Sequence, residues 1–342
     1  MTASKGPGGL GRVSVVIRVF NEARHIERLL QGILQQTVEV DEIVIVDSGS
    51  TDATLEVVSH YPAKVVPIAP EQFSFGRSLN LGIASATGDL IVVASGHVYP
   101  VYPDWLEQLL EPFADENVAL TYGRQRGGTR SRFSEAQLLA LWFPDHSQQP
   151  QASPFCNNAN AAIRRVLWER RRFREDLPGL EDLDWATWAQ SQGYSVAYKA
   201  EAEVVHIHEE NAGAIFNRYR REAMALKTIR PEEDFRLGDL IRLFVSNSVS
   251  DVWHARRAGV LRSEWSSILM FRLMQFWGTF QGFRHPGLLT GQLKRTFYYP
   301  RGFQSPSRRA GRDVEPIDYD ASLGPAVAGT MNDTDQVSNP SD

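Results

Sequence analysis

Strand-like and helix-like segments alternate along the first third of this 342-residue chain. Five apolar runs have the length and composition of buried strands: residues 13–20, 41–47, 63–68, 89–95 and 117–123. Apolar side chains at helical spacing lie between them, as at Ile26, Leu29 and Ile33. Such alternation requires right-handed βαβ crossovers. It therefore predicts an α/β fold with a mainly parallel central sheet flanked by helices.

Polar residues follow three of these strands at the point where each strand ends. Asn21 and Glu22 follow the first strand, residues 47–52 follow the second, and residues 95–97 follow the fourth. Ligands of open parallel sheets bind outside the carboxyl ends of the strands. We therefore expect these three polar groups to lie together and to form the functional site.

The strand and helix pattern weakens after residue 121 and then changes in character. Two further strands are predicted at residues 194–200 and 203–208, and from residue 215 onward the apolar spacing is helical. Residues 216–301 hold 15 Lys and Arg against 7 Asp and Glu. The predicted organisation is a disordered tail over residues 1–11, an α/β domain over 12–212, a basic helical region over 213–301 and a disordered, Pro/Gly-rich tail over 302–342.

Composition argues against several classes of protein. The net charge is −5, so nothing global points to nucleic acid. Cys156 is the only cysteine, which rules out an intramolecular disulfide and indicates a reducing compartment. The first residues contain no apolar leader, and no run of about 18 apolar residues occurs, so we expect neither secretion nor a membrane span. The expected location is the cytoplasm, and the sequence leaves open whether the protein is a homo-oligomer.

An apolar and aromatic stripe occupies the last predicted helix, with Arg272 in its middle. Its members are Trp265, Ile268, Leu269, Leu273, Phe276, Trp277, Phe280 and Phe283. A basic amphipathic segment with aromatic residues can lie on an anionic membrane. The same stripe can instead pack on the α/β domain or on a second subunit. Peripheral contact with the inner face of the membrane and a protein interface are therefore both open.

Four motifs, in this order, resemble those of one enzyme family. "VIRVFNEARHIERLL" joins a strand to a helix, "VDSGSTDAT" follows the second strand, "GRSLNLGIASATGDLIVV" leads into the fourth, and "EDLDWA" comes much later. Together they resemble the family 2 glycosyltransferases, which have the Rossmann-like GT-A fold, over about residues 13–210. "YGRQ" and "NNANAAIRRVLWE" are most similar to the bacterial rhamnosyltransferase-like branch of that family.

The resemblance implies a nucleotide-binding set. Its members are Asn21, Glu22, Asp47, Gly49 and Asp52 near the strand ends, with Arg77 and Asn80 in the predicted helix that precedes the fourth strand. Asp47 ends a strand, where its carboxylate can accept hydrogen bonds from a base N–H or a ribose hydroxyl. Gly49 permits close approach of the backbone. Asp52 can instead cap the next helix, and Asn21 with Glu22 can instead form a helix cap.

The resemblance also implies an acid–base residue in "GLEDLDWATWA". An inverting transferase needs a carboxylate that takes the proton of the acceptor hydroxyl, and Asp182 matches the family's base. Its neighbour Glu181 and the nearby Trp185 are candidates for contact with the acceptor or the diphosphate. The alternatives are that Glu181, Asp182 and Asp184 only cap the following helix and that Trp185 is a core residue.

His97 departs from the family pattern. The family has an acidic pair or triad here whose last Asp holds Mg²⁺ or Mn²⁺, whereas "SGH" places Ser95 and His97 in that position. Three alternatives follow. His97 binds a Mn²⁺-like ion together with His206 or His208, or it contacts the diphosphate without a metal, or the site is inactive. The retained carboxylates of the other motifs argue against an inactive site.

Without a metal, other cations have to balance the leaving diphosphate, because negative charge develops there in the transition state. The candidates are Arg124, Arg126, Arg218 and Arg221. For each of them taken alone, a solvated surface position is the plain alternative.

The sequence therefore predicts a cytoplasmic, inverting glycosyltransferase that uses a dTDP- or UDP-linked sugar, with rhamnose or a similar hexose implied by resemblance alone. The implied acceptor is a growing surface polysaccharide or a lipid-linked glycan, and the implied cofactor is Mn²⁺ or Mg²⁺. A catalytically inactive nucleotide-sugar-binding or scaffold protein is the main alternative, and His97 is the residue that supports it. A nucleotidyltransferase is disfavoured, because no glycine-rich phosphate loop follows the first strand.

Overall fold

The structure is a computed structural model that describes residues 11–284, 288–289 and 314–319. Its main feature is an eight-stranded sheet. The strands are β1 (Val13–Val19), β2 (Glu42–Asp47), β3 (Ala63–Pro67), β4 (Leu90–Ser95), β5 (Val98–Pro100), β6 (Val118–Gly127), β7 (Asn160–Arg164) and β8 (Ser195–His206). The short strands β9 (Glu232–Glu233) and β10 (Leu288–Leu289) form a separate parallel pair.

The strand order in the sheet is β3-β2-β1-β4-β7-β6-β8-β5. The first four strands are parallel neighbours, as the alternation of strands and helices predicts. β7 runs antiparallel to β4 and β6, and the short β5 runs antiparallel to β8. The α/β fold is therefore confirmed, and the sheet is parallel in its amino-terminal half and mixed beyond it.

Ten α-helices occur among the described residues. They are α1 (Ile26–Leu34), α2 (Thr54–Val58), α3 (Phe75–Ser85), α4 (Trp105–Leu110), α5 (Phe133–Trp142), α6 (Arg165–Arg170), α7 (Glu181–Ser191), α8 (Ala212–Ile229), α9 (Leu237–Arg257) and α10 (Leu261–Phe283). Polar caps begin two of them, because the side-chain oxygens of Ser74 and Asn211 accept backbone N–H groups in the first turns of α3 and α8.

The carboxyl-terminal half of the sheet is where the structure differs from the sequence-based prediction. β5 and β7 are missing from the prediction. β5 has only three residues and β7 lies in an Asn/Ala-rich run, and both carry a weak strand signal. β8 is one strand where two were predicted, because Glu201 and Glu203 interrupt the apolar pattern. A shift of register between Gly123 and Gln125 of β6 accommodates this stretch.

Successive side chains of β1 are buried on opposite faces of the sheet, because the pleat of a strand points them in alternate directions. Val15 and Ile17 join a core cluster with apolar side chains of α1 and α4. Val16 joins a second cluster that includes side chains of α3, α7 and the three carboxyl-terminal helices. One face of the helical region therefore packs on the α/β domain, as one of the two alternatives for it proposes.

A buried ion pair ties the last two helices to the α/β domain. Arg272 of α10 donates two hydrogen bonds to Asp251 of α9, at 2.8 and 3.0 Å. Ser134 of α5 donates to the same carboxylate. The side chains of Arg272 and Asp251 are 1% and 0% exposed, so this pair lies in the interior and Arg272 takes no part in an exposed basic face.

The apolar stripe of α10 divides between two environments. Ile268, Phe276, Phe280 and Phe283 are buried, whereas Trp265, Leu269, Leu273 and Trp277 are exposed. Among the described residues, no helix has both the length and the apolarity to cross a membrane.

A short segment near the carboxyl terminus lies against the α/β domain. Ile317 and Tyr319 are buried beside Tyr99, and the Tyr319 hydroxyl donates a hydrogen bond to the carbonyl of Pro100. This segment belongs to the predicted tail at 302–342 but is placed in contact with β5, because its two apolar side chains have a partner there. The rest of that tail, and residues 1–10 of the other predicted tail, lie outside the described residues.

Candidate active site

The turn after β2 is built around the carboxylate of Asp47. This side chain is buried and accepts hydrogen bonds from the backbone N–H groups of Gly49, at 3.1 Å, and Ser50, at 3.2 Å. Gly49 has a φ of 90°, a left-handed conformation that glycine adopts at no steric cost. A carboxylate has about four acceptor positions, so Asp47 retains capacity for a base N–H or a ribose hydroxyl.

Asn21 and Asp52 hold the ends of β1 and β2 together. The Asn21 side-chain oxygen accepts the backbone N–H of Thr51 at 2.8 Å. The Asp52 carboxylate accepts the N–H of Ala23 at 3.1 Å and that of Thr54 at 3.0 Å. Burial alone would raise the pKa of Asp52, but hydrogen bonds from Thr54 and Ala23 lower it. These contacts match the capping alternative for Asp52 and give Asn21 a structural link rather than a contact with a ligand.

Arg77 and Asn80 lie on α3 and contact the segment after α6. Asn80 donates to the carbonyl of Phe173 and to Glu175, and its oxygen accepts from the Trp168 indole and from the Phe173 backbone N–H. Every hydrogen-bonding position of this carboxamide is therefore used inside the protein, which leaves none for the predicted nucleotide contact. Arg77 pairs with Glu175 at 3.7 Å and remains partly exposed.

Glu181 and Asp182 begin α7 as a buried acidic pair. The two side-chain oxygens of Asp182 accept the backbone N–H groups of Asn158, at 3.0 Å, and Leu183, at 2.8 Å. Glu181 accepts hydrogen bonds from the Arg18 guanidinium and from the Asn158 side chain, both at 3.3 Å. Four donors thus fix the positions of two neighbouring carboxylates.

Burial, together with the charge of Glu181, raises the pKa of Asp182 to about 7. A carboxyl group with a pKa near neutrality can both take up and release a proton at the pH of a cell. Leu180, directly before this pair, has a φ of 56°. A left-handed conformation costs a residue with a side chain about 1–3 kcal/mol and is concentrated at functional sites. The environment of Asp182 is therefore compatible with the acid–base role that the resemblance implies.

Arg18 connects the acidic pair to the strand ends. It lies opposite Ser95 in the register between β1 and β4, and its guanidinium reaches Glu181. The next residue, Val19, lies opposite Asp47 in the register between β1 and β2. The Asp47 turn, Ser95 and the start of α7 therefore meet at one edge of the sheet, as predicted for the polar groups that follow the strands.

Asp184 and Trp185 have structural roles. Asp184 pairs with Arg171 at 2.6 Å and with Arg174 at 3.7 Å, and burial raises its pKa. The Trp185 side chain is 0% exposed, and its indole donates to the carbonyl of Arg171 at 2.7 Å. The contact with acceptor or diphosphate predicted for Trp185 is wrong, because a ring in the core cannot reach either.

Three histidines meet at the same edge of the sheet. Their proximity follows from the antiparallel pairing of β5 with the end of β8, in which Val98 lies opposite His206. His97 precedes β5, and its carbonyl accepts the backbone N–H of Ile207 at 3.1 Å. His206 and His208 are two residues apart. One ligand atom from each of these rings lies within 4.8 Å of the other two.

Each histidine of this cluster is held through its Nδ1 atom. Nδ1 of His97 lies 2.6 Å from Glu22 Oε1, and that of His206 lies 2.6 Å from Gln125 Oε1. Nδ1 of His208 lies 2.8 Å from Glu135 Oε1. Glu22 therefore contacts His97, although the resemblance implied a contact with the nucleotide.

The donor set of this cluster fits a divalent ion. Burial lowers the pKa of His206 and of His208 well below the ordinary range, with further lowering from the positive charge of Arg218. Both rings are therefore neutral near pH 7, which is the form that binds metals. The Nε2 atom of His206 is buried and has no hydrogen-bond partner among the residues that the structure describes, which is costly unless another group satisfies it.

Most of the candidate cations are paired with carboxylates. Arg124 and Arg126 lie 3.8 and 2.9 Å from Glu203, and Arg218 lies 2.8 Å from Glu135. These ion pairs leave less positive charge for a diphosphate than the sequence alone implies.

Arg221 is exposed, and its guanidinium lies 5.2 Å from the centre of the Phe75 ring. Arg18 contacts the same ring at 5.0 Å. Two arginines of distant segments therefore converge on one aromatic side chain.

Several residues that organise the site are missing from the sequence-based prediction. Arg18 interrupts an otherwise apolar strand, a signal that was visible in the sequence. Gln125, Glu135 and Asn158 carried no such signal, because each acts through a neighbour that is distant in sequence. Glu135 in particular lies in a helix whose pattern does not distinguish it from a solvated charge.

A parallel half-sheet with an acidic turn at its carboxyl edge, followed by antiparallel strands and a buried acidic pair, defines a protein of the GT-A class. The sequence model described as glycosyl transferase family 2 matches residues 14–171 of the chain. This match agrees with the resemblance that the motifs carry, and the structure confirms the fold.

Curated relatives resemble the chain over part of their length. The O-antigen chain rhamnosyltransferase WbaN of Salmonella anatum is 30% identical over 201 residues, which are 54% of this chain and 62% of that protein. The O-antigen chain rhamnosyltransferase RfbN of Salmonella typhimurium is 27% identical over 225 residues, 61% of this chain and 70% of that protein. The chain therefore spans less than two thirds of the length of WbaN.

Solved structures share the fold. A mannosyltransferase from Pyrobaculum calidifontis, in complex with GDP-Man and Mn²⁺, superimposes with a TM-score of 0.53 at 23% identity over 82% of this chain and 86% of that one. A glucosyl-3-phosphoglycerate synthase from Mycobacterium tuberculosis, in complex with Mn²⁺, UDP and its product, gives 0.50 at 24% identity over 64% and 80%. These identities support a common fold and nothing finer.

Proposed function

We propose that this protein is an inverting glycosyltransferase that uses a nucleotide-diphosphate sugar, with Asp182 as general base. The observation that carries the proposal is the buried carboxylate of Asp182, which two backbone N–H groups hold at the edge of the sheet that also carries the Asp47 turn. Its raised pKa suits proton transfer near neutral pH.

In the proposed reaction, the acceptor hydroxyl gives its proton to the Asp182 carboxylate while its oxygen attacks the anomeric carbon of the donor sugar. The bond between that carbon and the diphosphate oxygen breaks, and its electron pair leaves with the nucleoside diphosphate. A single displacement of this kind inverts the configuration at the anomeric carbon. Asp47 binds the nucleoside through the acceptor positions that the turn leaves unused.

Negative charge develops on the diphosphate as this bond breaks, and catalysis depends on groups that stabilise it. A divalent ion held by His97, His206 and His208 would supply positive charge to the diphosphate oxygens. The chain itself contributes Arg221 and the partly exposed Arg126. Ser95 ends β4 beside this cluster and completes the polar edge.

Similarity to two rhamnosyltransferases supports rhamnose or a similar hexose on a dTDP or UDP carrier as the donor. It also supports a growing surface polysaccharide or a lipid-linked glycan as the acceptor. Such acceptors are assembled at the inner face of a membrane, so we propose that the protein works in the cytoplasm close to that surface.

The donor is tested by thermal unfolding of the full chain with dTDP-, UDP-, GDP- and CMP-linked sugars. A nucleotide that binds only the folded state raises the unfolding temperature, and saturation at 100 times Kd adds about 2.7 kcal/mol. One of the dTDP or UDP sugars is expected to do so. Absence of stabilisation by all four classes would remove the basis of the proposal.

The role of Asp182 is tested with Asp182→Asn and a matched control, Asp184→Asn, in the same turn of α7. Loss of a general base lowers kcat by about 10²–10⁴-fold without loss of nucleotide binding. The control removes the charge of a buried carboxylate that pairs with arginines and is expected to retain transfer. Equal activity of both variants would favour the alternative of a non-catalytic scaffold.

A further inference from the structure

We propose that His97, His206 and His208 form a nitrogen-only metal site that binds a borderline transition ion such as Zn²⁺ or Co²⁺ in preference to Mg²⁺. This goes beyond the expected use of Mn²⁺ or Mg²⁺ because it replaces oxygen ligands by three imidazoles. The role of the ion at the donor diphosphate rests on the proposed glycosyl transfer. The binding of the ion to the three histidines does not depend on that proposal.

The first support is the way in which each ring is oriented. An acceptor oxygen lies at 2.6–2.8 Å from Nδ1 in all three histidines. When Nδ1–H donates to such an oxygen, the tautomer is fixed and Nε2 carries the free electron pair. Metal-binding histidines almost always have an outer partner of this kind. Three such arrangements, with ligand atoms within 4.8 Å of one another, are not required by the packing of a sheet edge.

The second support is the buried Nε2 atom of His206, which has no partner within the described residues. The rings of His206 and His208 have centroids 4.1 Å apart, and His97 lies 5.1 and 5.5 Å from them. One ligand atom from each ring lies within 4.8 Å of the other two, which is close enough for all three to reach one ion. A cation bound there would satisfy the buried Nε2 atom of His206.

Charge around the cluster also favours a cation. Glu22 and Glu135 place carboxylates directly behind two of the rings. Arg218, whose guanidinium lies 3.5 Å from Nδ1 of His208, also pairs with Glu135 and with Glu210 at 2.7 Å, so that its positive charge is partly offset. The outer partners therefore supply negative charge that a divalent ion can use.

The donor set determines which ion is preferred. Mg²⁺ takes oxygen ligands in an octahedron and keeps several waters, whereas imidazole nitrogen suits Zn²⁺, Co²⁺ and their neighbours. Three histidines with an open coordination position are typical of catalytic zinc sites. That open position is where a diphosphate oxygen would enter if the proposed reaction is correct.

Gly96 is the residue that makes the outer contact of His97 possible. A Cβ atom at this position would lie 2.9 Å from Cγ of Glu22. Glu22 therefore reaches Nδ1 of His97 by passing across a glycine. The sequence "SGH" thus combines a metal-binding residue with the space that its positioning residue needs.

The test is calorimetric titration of the full chain, stripped with a chelator, with Zn²⁺, Co²⁺ and Mg²⁺ in the absence of any sugar donor. One equivalent of Zn²⁺ or Co²⁺ is expected to bind at least 100-fold more tightly than Mg²⁺. Bound Co²⁺ is expected to show visible absorption bands of a nitrogen-ligated, low-coordinate site. Weaker binding of Zn²⁺ than of Mg²⁺, or no binding of either, would overturn the proposal.

Variants show whether the ion lies at this cluster. His97→Ala removes a half-buried ligand at the rim and is expected to abolish the Co²⁺ bands, whereas exposed His146→Ala is the matched control and retains them. Glu22→Gln removes the charge of an outer partner and is expected to weaken binding about 10–100-fold. Unchanged affinity of His97→Ala would place the ion elsewhere and refute the site. Ion binding without sugar transfer would contradict the proposed function but not the site. Full transfer in chelator would contradict the assignment of the ion to the donor diphosphate, but neither the transfer itself nor the binding of the ion.

A separate observation concerns the outer surface of α9 and α10, which we call the apolar face. It is formed by nine exposed side chains at four-residue spacing: Leu237, Ile241, Val245, Val249 and Trp253 on α9, and Trp265, Leu269, Leu273 and Trp277 on α10. Their exposed fractions run from 38% to 63%. An apolar surface of this extent on a soluble fold marks an interaction site.

Charge and aromatic content indicate what this face contacts. The two helices of this face carry four exposed arginines, which are Arg242, Arg256, Arg257 and Arg262. The acidic residues of α9 and α10 are all buried or half-buried. Three of the nine apolar residues are tryptophans, which favour the boundary between lipid headgroups and acyl chains. A second copy of the chain would bring the same arginines of two molecules together, which is unfavourable. We infer that the apolar face binds the surface of an anionic bilayer.

Vesicle sedimentation of the full chain tests this inference. Binding is expected to vesicles that contain phosphatidylglycerol, to weaken with added salt, and to be much weaker with phosphatidylcholine alone. Val249→Asp on the apolar face is expected to abolish binding, whereas Val166→Asp, at a similarly exposed valine of α6, is the matched control. Equal sedimentation of the two variants, or a dimer that only Val249→Asp dissociates, would refute a membrane contact.

Discussion

The charge of Glu181 contributes to the raised pKa of Asp182, and the Glu181→Gln variant tests this contribution. Burial and the Glu181 charge together raise the pKa of Asp182 from 3.8 to about 7. A rise of about 3 units corresponds to roughly 4 kcal/mol, since one unit is about 1.4 kcal/mol. Burial is the larger cause and remains in the variant. We therefore expect the pKa of Asp182 to fall in the variant but to remain above its usual range.

The substitution is well suited to this purpose because glutamine keeps the oxygen that accepts from Arg18 and Asn158. Arg18 also lowers the pKa of Asp182, and without a charged Glu181 its effect on Asp182 increases. Both changes act in the same direction, toward a stronger acid.

The assay is the pH profile of kcat/KM between about pH 5 and 9, with the donor found by thermal unfolding, because its acid limb reports the free enzyme. The base acts when deprotonated, so activity rises with pH through the pKa of Asp182. The midpoint is expected near pH 7 in the parent and at a lower pH in the variant. A limb that stays in place or moves to higher pH would refute the coupling between the two carboxylates.

Three further predictions concern stability and are measured by urea unfolding. Arg272→Met leaves the buried Asp251 carboxylate unpaired and is expected to lower the free energy of unfolding by about 3–5 kcal/mol; a loss below about 1 kcal/mol would show that the pair is not buried in solution. Tyr319→Phe removes one hydrogen bond to the Pro100 carbonyl and is expected to cost about 1 kcal/mol; no change would show that the segment does not dock. Gly123→Ala places a Cβ 2.1 Å from a backbone oxygen of β8 and is expected to cost about 3 kcal/mol or to prevent folding; full stability would contradict the close pairing of β6 with β8.

The amino-terminal half of the sheet is predictable from sequence because each of its strands is a continuous apolar run between two helices. Local patterns suffice there, since hydrophobic periodicity and the handedness of crossovers determine the topology. β5 and β7 escape prediction because their place is fixed by partners in other segments, as in the register of Val98 with His206. Propensity over three residues cannot encode such a contact.

The candidate site shows the same division. Asp47 and Asp182 follow recognisable motifs, and the structure places both at one edge of the sheet. The partners of His206 and His208 are not visible in the sequence, because Gln125 and Glu135 become important only through contacts across 81 and 73 residues. Asn80 shows the opposite error, since a residue that matches a motif is consumed by internal hydrogen bonds.

The pairing of β5 with the end of β8 also has a consequence for the order of folding. His97 and His206 are separated by most of the α/β domain in sequence, so their cluster exists only after the last long strand has joined the sheet. Contacts of such large separation form late, because closing a long loop costs entropy before it is rewarded. An ion captured there would stabilise the finished sheet but not its incomplete intermediates. The time at which the Co²⁺ absorption bands appear during refolding would then report when the last long strand joins the sheet.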